Sequence, residues 1–298
     1  MPSQDTAAAL LTSDEFTRGV VAGFVALAVG LAIVPLWRRG RDSAVPIVGL
    51  LLTAAAGGVL FAGFDVPDGL GFGLALLAVG GALCQLVRLG PVLNAAVAVP
   101  GAWLVASVVE YPGSQWVPWL LFGFIVFGAA LVSDFDRHFA GRGYGPILLV
   151  ISIAGMFATL PDTEEILVVF GAALPLVLLA WPKVFAFLGA AGIFPALGLL
   201  AWVIAVDGRG RESAVIGAVA CLGLLVIEPV VRRWGATTLL DRLSATWSQA
   251  LAVAGAQAIV VLLAARVVGL RETSAAALIL AITLATATGL ALDRLGGQ

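Results

Sequence analysis

Long apolar runs, separated by short polar segments, follow one another along the whole chain. The runs are apolar at consecutive positions and lack the alternation typical of strands in a membrane barrel, so they predict membrane-spanning helices. A helix needs roughly 20 apolar residues to cross the hydrocarbon layer of a bilayer. Eleven runs are predicted spans, at residues 17–37, 44–64, 70–87, 91–109, 116–133, 146–160, 166–181, 184–206, 214–231, 247–268 and 275–292.

The pattern therefore predicts an all-α fold, a polytopic transmembrane helix bundle of about 11 spans with no soluble domain. Residues 1–298 form one integral membrane domain in this interpretation, and residues 1–16 are a short polar extension of it. The weakest span is 146–160, because about 15 residues measure only about 23 Å along a helix. Ten spans remain if it does not cross. Residues 166–206 divide at Trp181-Pro182-Lys183, where a tight turn is predicted.

The distribution of arginine and lysine predicts the orientation of the chain. With the N-terminus outside, eleven basic residues fall on the inner side and five on the outer side. Residues 1–17 hold three acidic and no basic residues, so we do not expect them to act as a secretory signal peptide. We expect the N-terminus outside and the C-terminus inside.

Composition narrows the chemistry of the chain. Hydrophobic residues make up 61% of it and charged residues 11%, against about 25% charged residues in soluble domains. The net charge of −2 provides no basic excess for nucleic acid. With one His and two Cys in the chain, we expect no catalytic residue, no metal site and no cofactor. Fifteen Arg against one Lys is typical of a GC-rich prokaryotic genome, which favours a plasma membrane.

One inner segment, residues 133–146, concentrates polar side chains. Two carboxylates one residue apart, beside the single His, are a candidate site for a divalent cation or a phosphate-bearing group. A solvated loop whose arginines orient the chain explains the same residues, and one His with two Asp is a poor zinc set. The candidate cluster consists of Asp134, Asp136, Arg137, His138 and Arg142.

A second set of candidate positions lies within the spans. Intramembrane polar residues are functional hypotheses by default, and broken helices mark the substrate sites of some transporters. An interfacial ion pair with Arg232 is the favoured interpretation of Glu228, while helix–helix hydrogen bonds and ordinary kinks explain the other positions. The set is Glu228, Gln257, Asn94, Gln85, Pro100 and Pro195.

Small residues recur every four positions in several spans. Lipid tails are as apolar as Leu, so helices in a bilayer associate by close packing of such positions. We expect Gly19 with Gly23, and Gly192 with Ala196, to contact neighbouring helices. The last span offers either a similar contact or a face for oligomerisation, through Ala277, Ala281, Ala285 and Gly289.

Two polar motifs have simple explanations as helix starts. In PDTEE, at 161–165, Asp162 or Thr163 is expected to cap the first turn of the seventh span. RGRDSAV at 39–45 and RGRESAV at 209–215 suggest an inverted repeat. The match does not continue beyond these seven residues, so convergent helix starts are the favoured interpretation.

Basic residues after the ninth span predict one lipid contact. They accompany an amphipathic stretch that is typical of an interfacial helix. Anionic lipid is the expected partner, at Arg232, Arg233 and Arg242.

Three hypotheses for function remain open at this point. The first is a small transporter, permease or flippase-like protein for a small or lipidic substrate, which the Pro and Gly breaks favour. The second is a non-catalytic membrane subunit or scaffold, which the short loops and small-residue stripes favour. The third is a membrane enzyme that uses the inner loop at 133–146.

Overall fold

The computed structural model describes residues 12–37, 46–87, 89–109, 111, 114–139, 144–157, 159–160, 163–175 and 189–222. All regular structure in this part of the chain is helical, which confirms the predicted all-α class. Its nine helices are α1 (Asp14–Trp37), α2 (Pro46–Gly63), α3 (Asp68–Val87), α4 (Pro91–Ser107), α5 (Trp116–Phe139), α6 (Tyr144–Met156), α7 (Glu164–Ala173), α8 (Gly189–Asp207) and α9 (Glu212–Cys221).

The apolar runs locate the helices, but polar residues set where they begin. Helix α1 starts three residues before the predicted span, because the Ser13 hydroxyl accepts a hydrogen bond from the Phe16 N–H at 3.2 Å. Asp14 and Glu15 then occupy its first turn, where the helix dipole favours negative charge. Residues 14–16 of the predicted polar extension therefore belong to α1. Asp68 opens α3 in the same way.

Helix α5 corrects the prediction of an inner loop at 133–146. The helix continues through Ser133 and ends at Phe139, so Asp134, Asp136, Arg137 and His138 lie on helical backbone. Charged residues mark the end of the hydrocarbon layer, but they do not stop a helix. The first strong helix breaker after this stretch is Gly141.

The sixth and seventh predicted spans are short in the structure. Helix α6 has 13 residues, which measure about 20 Å along its axis. Helix α7 has ten residues and ends at Ala173. The N–H of Leu174 bonds to the carbonyls of both Phe170 and Gly171, and Pro175 has no N–H with which to continue the ladder.

Three of the described helical segments are long and apolar enough to cross a membrane. They are Asp14–Ala32, Asp68–Val87 and Gly189–Asp207. Three shorter apolar segments accompany them, at Gly49–Gly63, Pro91–Ser107 and Trp116–Leu131. The composition and these helices together indicate a membrane protein. The predicted spans at 247–268 and 275–292 lie outside the described residues.

Helix α8 forms the centre of the described bundle. It packs against α2, α3, α4, α5 and α7, and most of its length is buried. Helix α1 packs on the outside, against α2 and α7, while α3, α4 and α5 pack in chain order. The fully buried core side chains include Leu77 of α3, Leu121 of α5 and Phe194 of α8.

Glycines bring two pairs of helices, α1 with α7 and α2 with α8, into backbone contact. A Cβ at Gly23 of α1 would lie 2.7 Å from the carbonyl oxygen of Ala172 in α7. In the reverse direction, a Cβ at Gly171 would lie 2.7 Å from the carbonyl oxygen of Phe16. Gly192 of α8 faces the backbone of Gly49 in α2 at the same distance. The predicted role of Gly23 and Gly192 in helix contact is therefore confirmed.

Successive helices run in alternating directions between the two ends of the bundle. Four of them, α5, α6, α7 and α8, meet at one end, which we call the Gly208 end. There the segment before α5 contacts the turn after α8 through Tyr111 and Gly208, and Leu160, after α6, lies beside Gly208. The first turn of α7 meets the last residue of α8 through Ile166 and Asp207. Helix α6 thus returns the chain to the end where α5 begins.

Candidate functional site

The Gly208 end carries the most extensive polar contacts of the described residues. Helix α8 ends in a turn at Gly208–Arg211, in which Gly210 adopts a φ of 79° that favours glycine. The N–H of Arg211 bonds to the Gly208 carbonyl at 3.1 Å. The same carbonyl accepts the hydroxyl of Tyr111 at 2.7 Å. The turn therefore attaches the α4–α5 connection to the end of α8.

Tyr111 is held as a neutral phenol in this contact. Its side chain is buried, and burial raises the pKa of the hydroxyl above its ordinary value. A hydrogen bond from the Arg211 backbone opposes that shift, and the negative charge of Glu212 adds to it. A neutral hydroxyl can donate to Gly208, whereas a phenolate cannot.

Asp207 caps a helix to which it does not belong. Its carboxylate accepts the N–H of Ile166 at 3.0 Å, and the residue is fully buried. Ile166 lies in the first turn of α7, where N–H groups have no acceptor within the helix. Thr163 occupies the N-cap position, yet its side chain makes no capping bond. Of the two predicted caps, Thr163 therefore does not act as one, and Asp162 lies outside the described residues.

Asp207 is not among the site residues predicted from the sequence. The eighth predicted span ends at Val206, one residue earlier, so the carboxylate falls in a predicted connection. One feature of the sequence could have pointed to Asp207. It is an acidic residue directly after a long apolar run, on the predicted outer side, where the seventh span begins. Only the packing of α7 against α8 turns that feature into a contact.

A cavity of about 470 Å³ opens beside this end, between the last turns of α4 and the first turns of α5. We call it the α4–α5 cavity. Its volume is within the range of small-molecule sites, about 300–1,000 Å³. Aromatic and polar side chains from both helices and their connection line it. The lining residues are Trp103, Ala106, Ser107, Val109, Tyr111, Ser114, Gln115, Pro118, Trp119 and Phe122.

Three of the lining rings form a cluster, which we call the aromatic trio. The ring centroids of Trp103 and Trp119 lie 5.5 Å apart, and each is 6.2 Å from that of Phe122. All three pairs meet edge to face, the favourable geometry for aromatic rings. Trp103 is 51% exposed and Trp119 is 60% exposed, so the trio forms an open outer wall. Exposed Trp residues are common at membrane interfaces.

Ser114 is a buried polar residue of the cavity, as Tyr111 is. The residue is 8% exposed, and its hydroxyl has no hydrogen-bond partner among the described residues. The nearby Ser107 hydroxyl, in contrast, donates to the Leu104 carbonyl at 2.8 Å. Most buried hydroxyls in proteins have a partner. The α4–α5 cavity therefore presents an unused donor and acceptor behind its aromatic wall.

A second, smaller cavity of about 50 Å³ lies between α2, α6, α7 and α8. Its wall is almost wholly apolar, and Thr53 is its one polar side chain among the described residues. The Thr53 hydroxyl contacts the Gly49 carbonyl at 2.9 Å and the Gly192 carbonyl at 3.3 Å. Since that hydroxyl is already bonded, this space fits packing better than solute binding.

Two of the predicted intramembrane residues are buried acceptors. Asn94 of α4 is buried, and its Oδ1 has no hydrogen-bond partner among the described residues. The Oε1 of Gln85, on α3, is also buried and has no hydrogen-bond partner among the described residues. Both residues lie at the end of the bundle opposite Gly208, in the hairpin formed by α3 and α4. The structure thus does not place them at the α4–α5 cavity.

The two predicted kink positions are separated by the fold. Pro100 lies on the exposed side of α4, and Pro195 is buried in α8. Each helix continues through its proline. Neither proline lines the α4–α5 cavity or the smaller cavity between α2, α6, α7 and α8. Glu228 and Gln257 lie outside the described residues.

The described residues cover only some of the remaining predictions. Cys84 and Cys221, both within predicted spans, are buried free thiols. Helix α9 begins at Glu212, which agrees with a helix start in the second copy of the seven-residue motif. Arg142, the motif copy at 39–45 and two further sets lie outside the described residues. Those sets are the arginines Arg232, Arg233 and Arg242, and the stripe Ala277, Ala281, Ala285 and Gly289.

Metal-binding geometry is not found within the described ranges. No group of three or more His, Cys, Asp and Glu side chains lies together there. No protein-family model matches the chain, and no curated protein matches it. The fold and the α4–α5 cavity therefore carry the argument for function.

Proposed function

We propose that the chain is a transporter or flippase-like protein for a small amphiphilic or lipidic substrate. The observation that carries this proposal is the α4–α5 cavity, which has the volume of a ligand site and an open aromatic wall. A substrate that is part apolar and part polar matches such a wall, because Trp rings offer apolar faces while Ser and Gln offer hydrogen bonds.

The position of the cavity supports an entry from the side of the bundle. Trp103 and Trp119 are the exposed members of its wall. Directly along α4, Val99 and Pro100 are also exposed, so the wall continues into an apolar helix face. An amphiphile with its polar part in the cavity could lie with its chain along that face without leaving the bilayer.

Flux in reconstituted vesicles tests the proposal. The purified protein is inserted into phosphatidylcholine vesicles that contain a fluorescent lipid, and dithionite bleaches the label that reaches the outer leaflet. We expect bleaching to exceed the roughly half of the label that is outside at the start. Ser107→Phe places a ring in the cavity and should abolish this excess.

Val92→Phe is the matched control for that variant. Val92 is 79% exposed at the opposite end of the same helix, outside the cavity, so the added ring should leave flux unchanged. Equal flux in both variants would show that the cavity is not the route. Absence of flux for every lipid and small solute tried, in folded protein, would contradict transport.

We propose a non-catalytic membrane subunit as the second candidate. The close packing around α8 favours it, because the glycine contacts and the bonded Thr53 leave little room for a path through the described bundle. A subunit without transport should show no flux but should purify from its native membrane in a complex of fixed stoichiometry. Recovery only as a single free chain would contradict this candidate.

We further propose eleven spans in a prokaryotic plasma membrane, with the N-terminus outside and the C-terminus inside. The apolar runs and the excess of inner-side arginine support this orientation. Reporter fusions at the two termini should report opposite compartments. The same compartment at both ends would contradict an odd number of spans.

A further inference from the structure

We propose that the α4–α5 cavity binds the neutral, hydroxyl-rich headgroup of a membrane lipid, such as the sugar of a glycolipid. Ser114 is the hydrogen-bonding residue, and the aromatic trio is the surface against which the headgroup packs. The inference rests on the proposed function and deepens it, because it names the polar part of the substrate.

Ser114 provides the first argument. Its hydroxyl is buried and has no partner among the described residues, although it lines the cavity. A buried hydroxyl without a partner is unfavourable, and a ligand hydroxyl would supply both a donor and an acceptor to it. Gln115, next along the chain, adds an amide to the same wall.

Charge provides the second argument. None of the described residues that line the cavity is acidic or basic. A phosphate or a carboxylate headgroup would enter without a counter-charge from these residues, which is unfavourable in a partly buried space. A neutral headgroup avoids that cost.

The geometry of the aromatic trio provides the third argument. A quaternary ammonium group binds between ring faces that leave room for it. Here the rings touch one another edge to face, with centroids 5.5–6.2 Å apart, so the space between them is already filled. Trp103 and Trp119 nevertheless remain more than half exposed. An exposed indole surface suits the C–H side of a sugar ring, which is apolar and broad.

Binding to the full-length protein in nanodiscs tests the inference. The probe is a radiolabelled diacylglycerol that carries one neutral hexose, at a low fraction in phosphatidylcholine discs. We expect saturable binding that Ser114→Ala weakens about tenfold, since one hydrogen bond is lost. Trp119→Leu should weaken binding at least as much, because it removes the packing surface.

Two matched variants control for general damage. Ser152→Ala removes another buried serine hydroxyl, on α6 and away from the cavity. Trp116→Leu removes a Trp from the first turn of α5 that does not line the cavity. Both should bind the glycolipid as the wild type does, and all four variants should elute as monodisperse protein. Equal loss of binding in Ser114→Ala and Ser152→Ala would overturn the inference.

Competition identifies the headgroup chemistry and its source. Excess phosphatidylcholine or phosphatidylglycerol should not displace the probe, and displacement by either would overturn a neutral hydroxylated headgroup. Free hexose at millimolar concentration should not displace it either. Displacement by free hexose would overturn the lipid as the source of the sugar.

The proposed function and this inference fail in different ways. Binding that depends on Ser114, without any transbilayer flux, would support the headgroup site and contradict transport. Flux that Ser107→Phe abolishes and Ser114→Ala leaves unchanged for the glycolipid would support transport and contradict the headgroup site.

Discussion

Two helix contacts of the bundle differ in the size of the side chains between the helices. One is the crossing of α1 and α7, and the other is the corner between α4 and α5. At the crossing, Gly23 and Gly171 allow backbone to touch backbone. At the corner, the rings of Trp103, Trp119 and Phe122 pack against one another, and a cavity remains beside them between the ends of α4 and α5. The hydrophobic effect does not drive helices together within a bilayer, so their association depends on close packing. Small side chains permit that packing because they let the backbones approach. Large aromatic rings pack edge to face against one another and leave a cavity beside them.

The largest effect should come from adding one methyl group at the tight crossing. In Gly171→Ala the new Cβ meets the Phe16 carbonyl at 2.7 Å and the Val20 nitrogen at 2.8 Å, so two backbones must separate. We expect a loss of about 3 kcal/mol in the free energy of unfolding. Unfolding with increasing SDS in mixed micelles measures it.

Gly58→Ala is the control for that variant. A Cβ at Gly58 meets nothing within 4 Å, and alanine is a better helix former than glycine by up to about 1 kcal/mol. This variant should therefore be as stable as the wild type or more stable. Equal destabilisation by both substitutions would show that the α1–α7 contact is not specific.

Asp207→Ala should cost about 2 kcal/mol, because the N–H of Ile166 loses its acceptor in a buried place. Asp207→Asn retains an amide oxygen and should recover part of the loss. Hydrogen exchange at Ile166 provides the local measurement, and exchange there should become faster in the alanine variant. Unchanged protection would contradict the capping role.

Tyr111→Phe should cost about 1 kcal/mol near neutral pH, through loss of the bond to Gly208. The pKa of Tyr111 is raised in the folded protein, above an unfolded value near 10. Its stabilising contribution is therefore complete below about pH 10 and declines as the pH rises through the higher folded pKa. The stability gap between variant and wild type should narrow only in that alkaline range. A gap that does not change with alkaline pH would contradict this account.

The smallest effect, with the opposite sign, should appear at the open corner. Ser114→Ala removes a buried hydroxyl that has no partner among the described residues, so stability without ligand should rise by a few tenths of a kcal/mol. Thr53→Val removes a hydroxyl that is bonded to Gly49 and should lower stability instead. Thermal unfolding in detergent compares the two. A loss in both would mean that Ser114 has a structural role.

Apolar periodicity predicted the helices because each apolar run must satisfy its own backbone hydrogen bonds in lipid. It failed where side chains act across helices. The helical residues from Ser133 to Phe139 are polar enough to resemble a loop, although no breaker occurs before Gly141. Asp207 looked like the beginning of a connection, because nothing local shows that α7 needs its carboxylate.

The cavity was beyond prediction for a related reason. Trp103, Ser114 and Trp119 each have an ordinary local explanation, as interfacial aromatics or a turn residue. They become a candidate site only when the fold places them around one cavity. Pro100, in contrast, carries a strong sequence signal and lies on the exposed face of its helix.

The hydrogen bond from the Ile166 N–H of α7 to the Asp207 carboxylate has a consequence for membrane insertion during synthesis. Residue 166 leaves the ribosome about forty residues before residue 207, so α7 emerges with an N–H that its own segment leaves unsatisfied. In hydrocarbon such a group is costly, whereas the aqueous surface tolerates it. We therefore expect α7 to insert stably only together with α8. The insertion is complete once α8 has been synthesised and Asp207 can accept the Ile166 N–H.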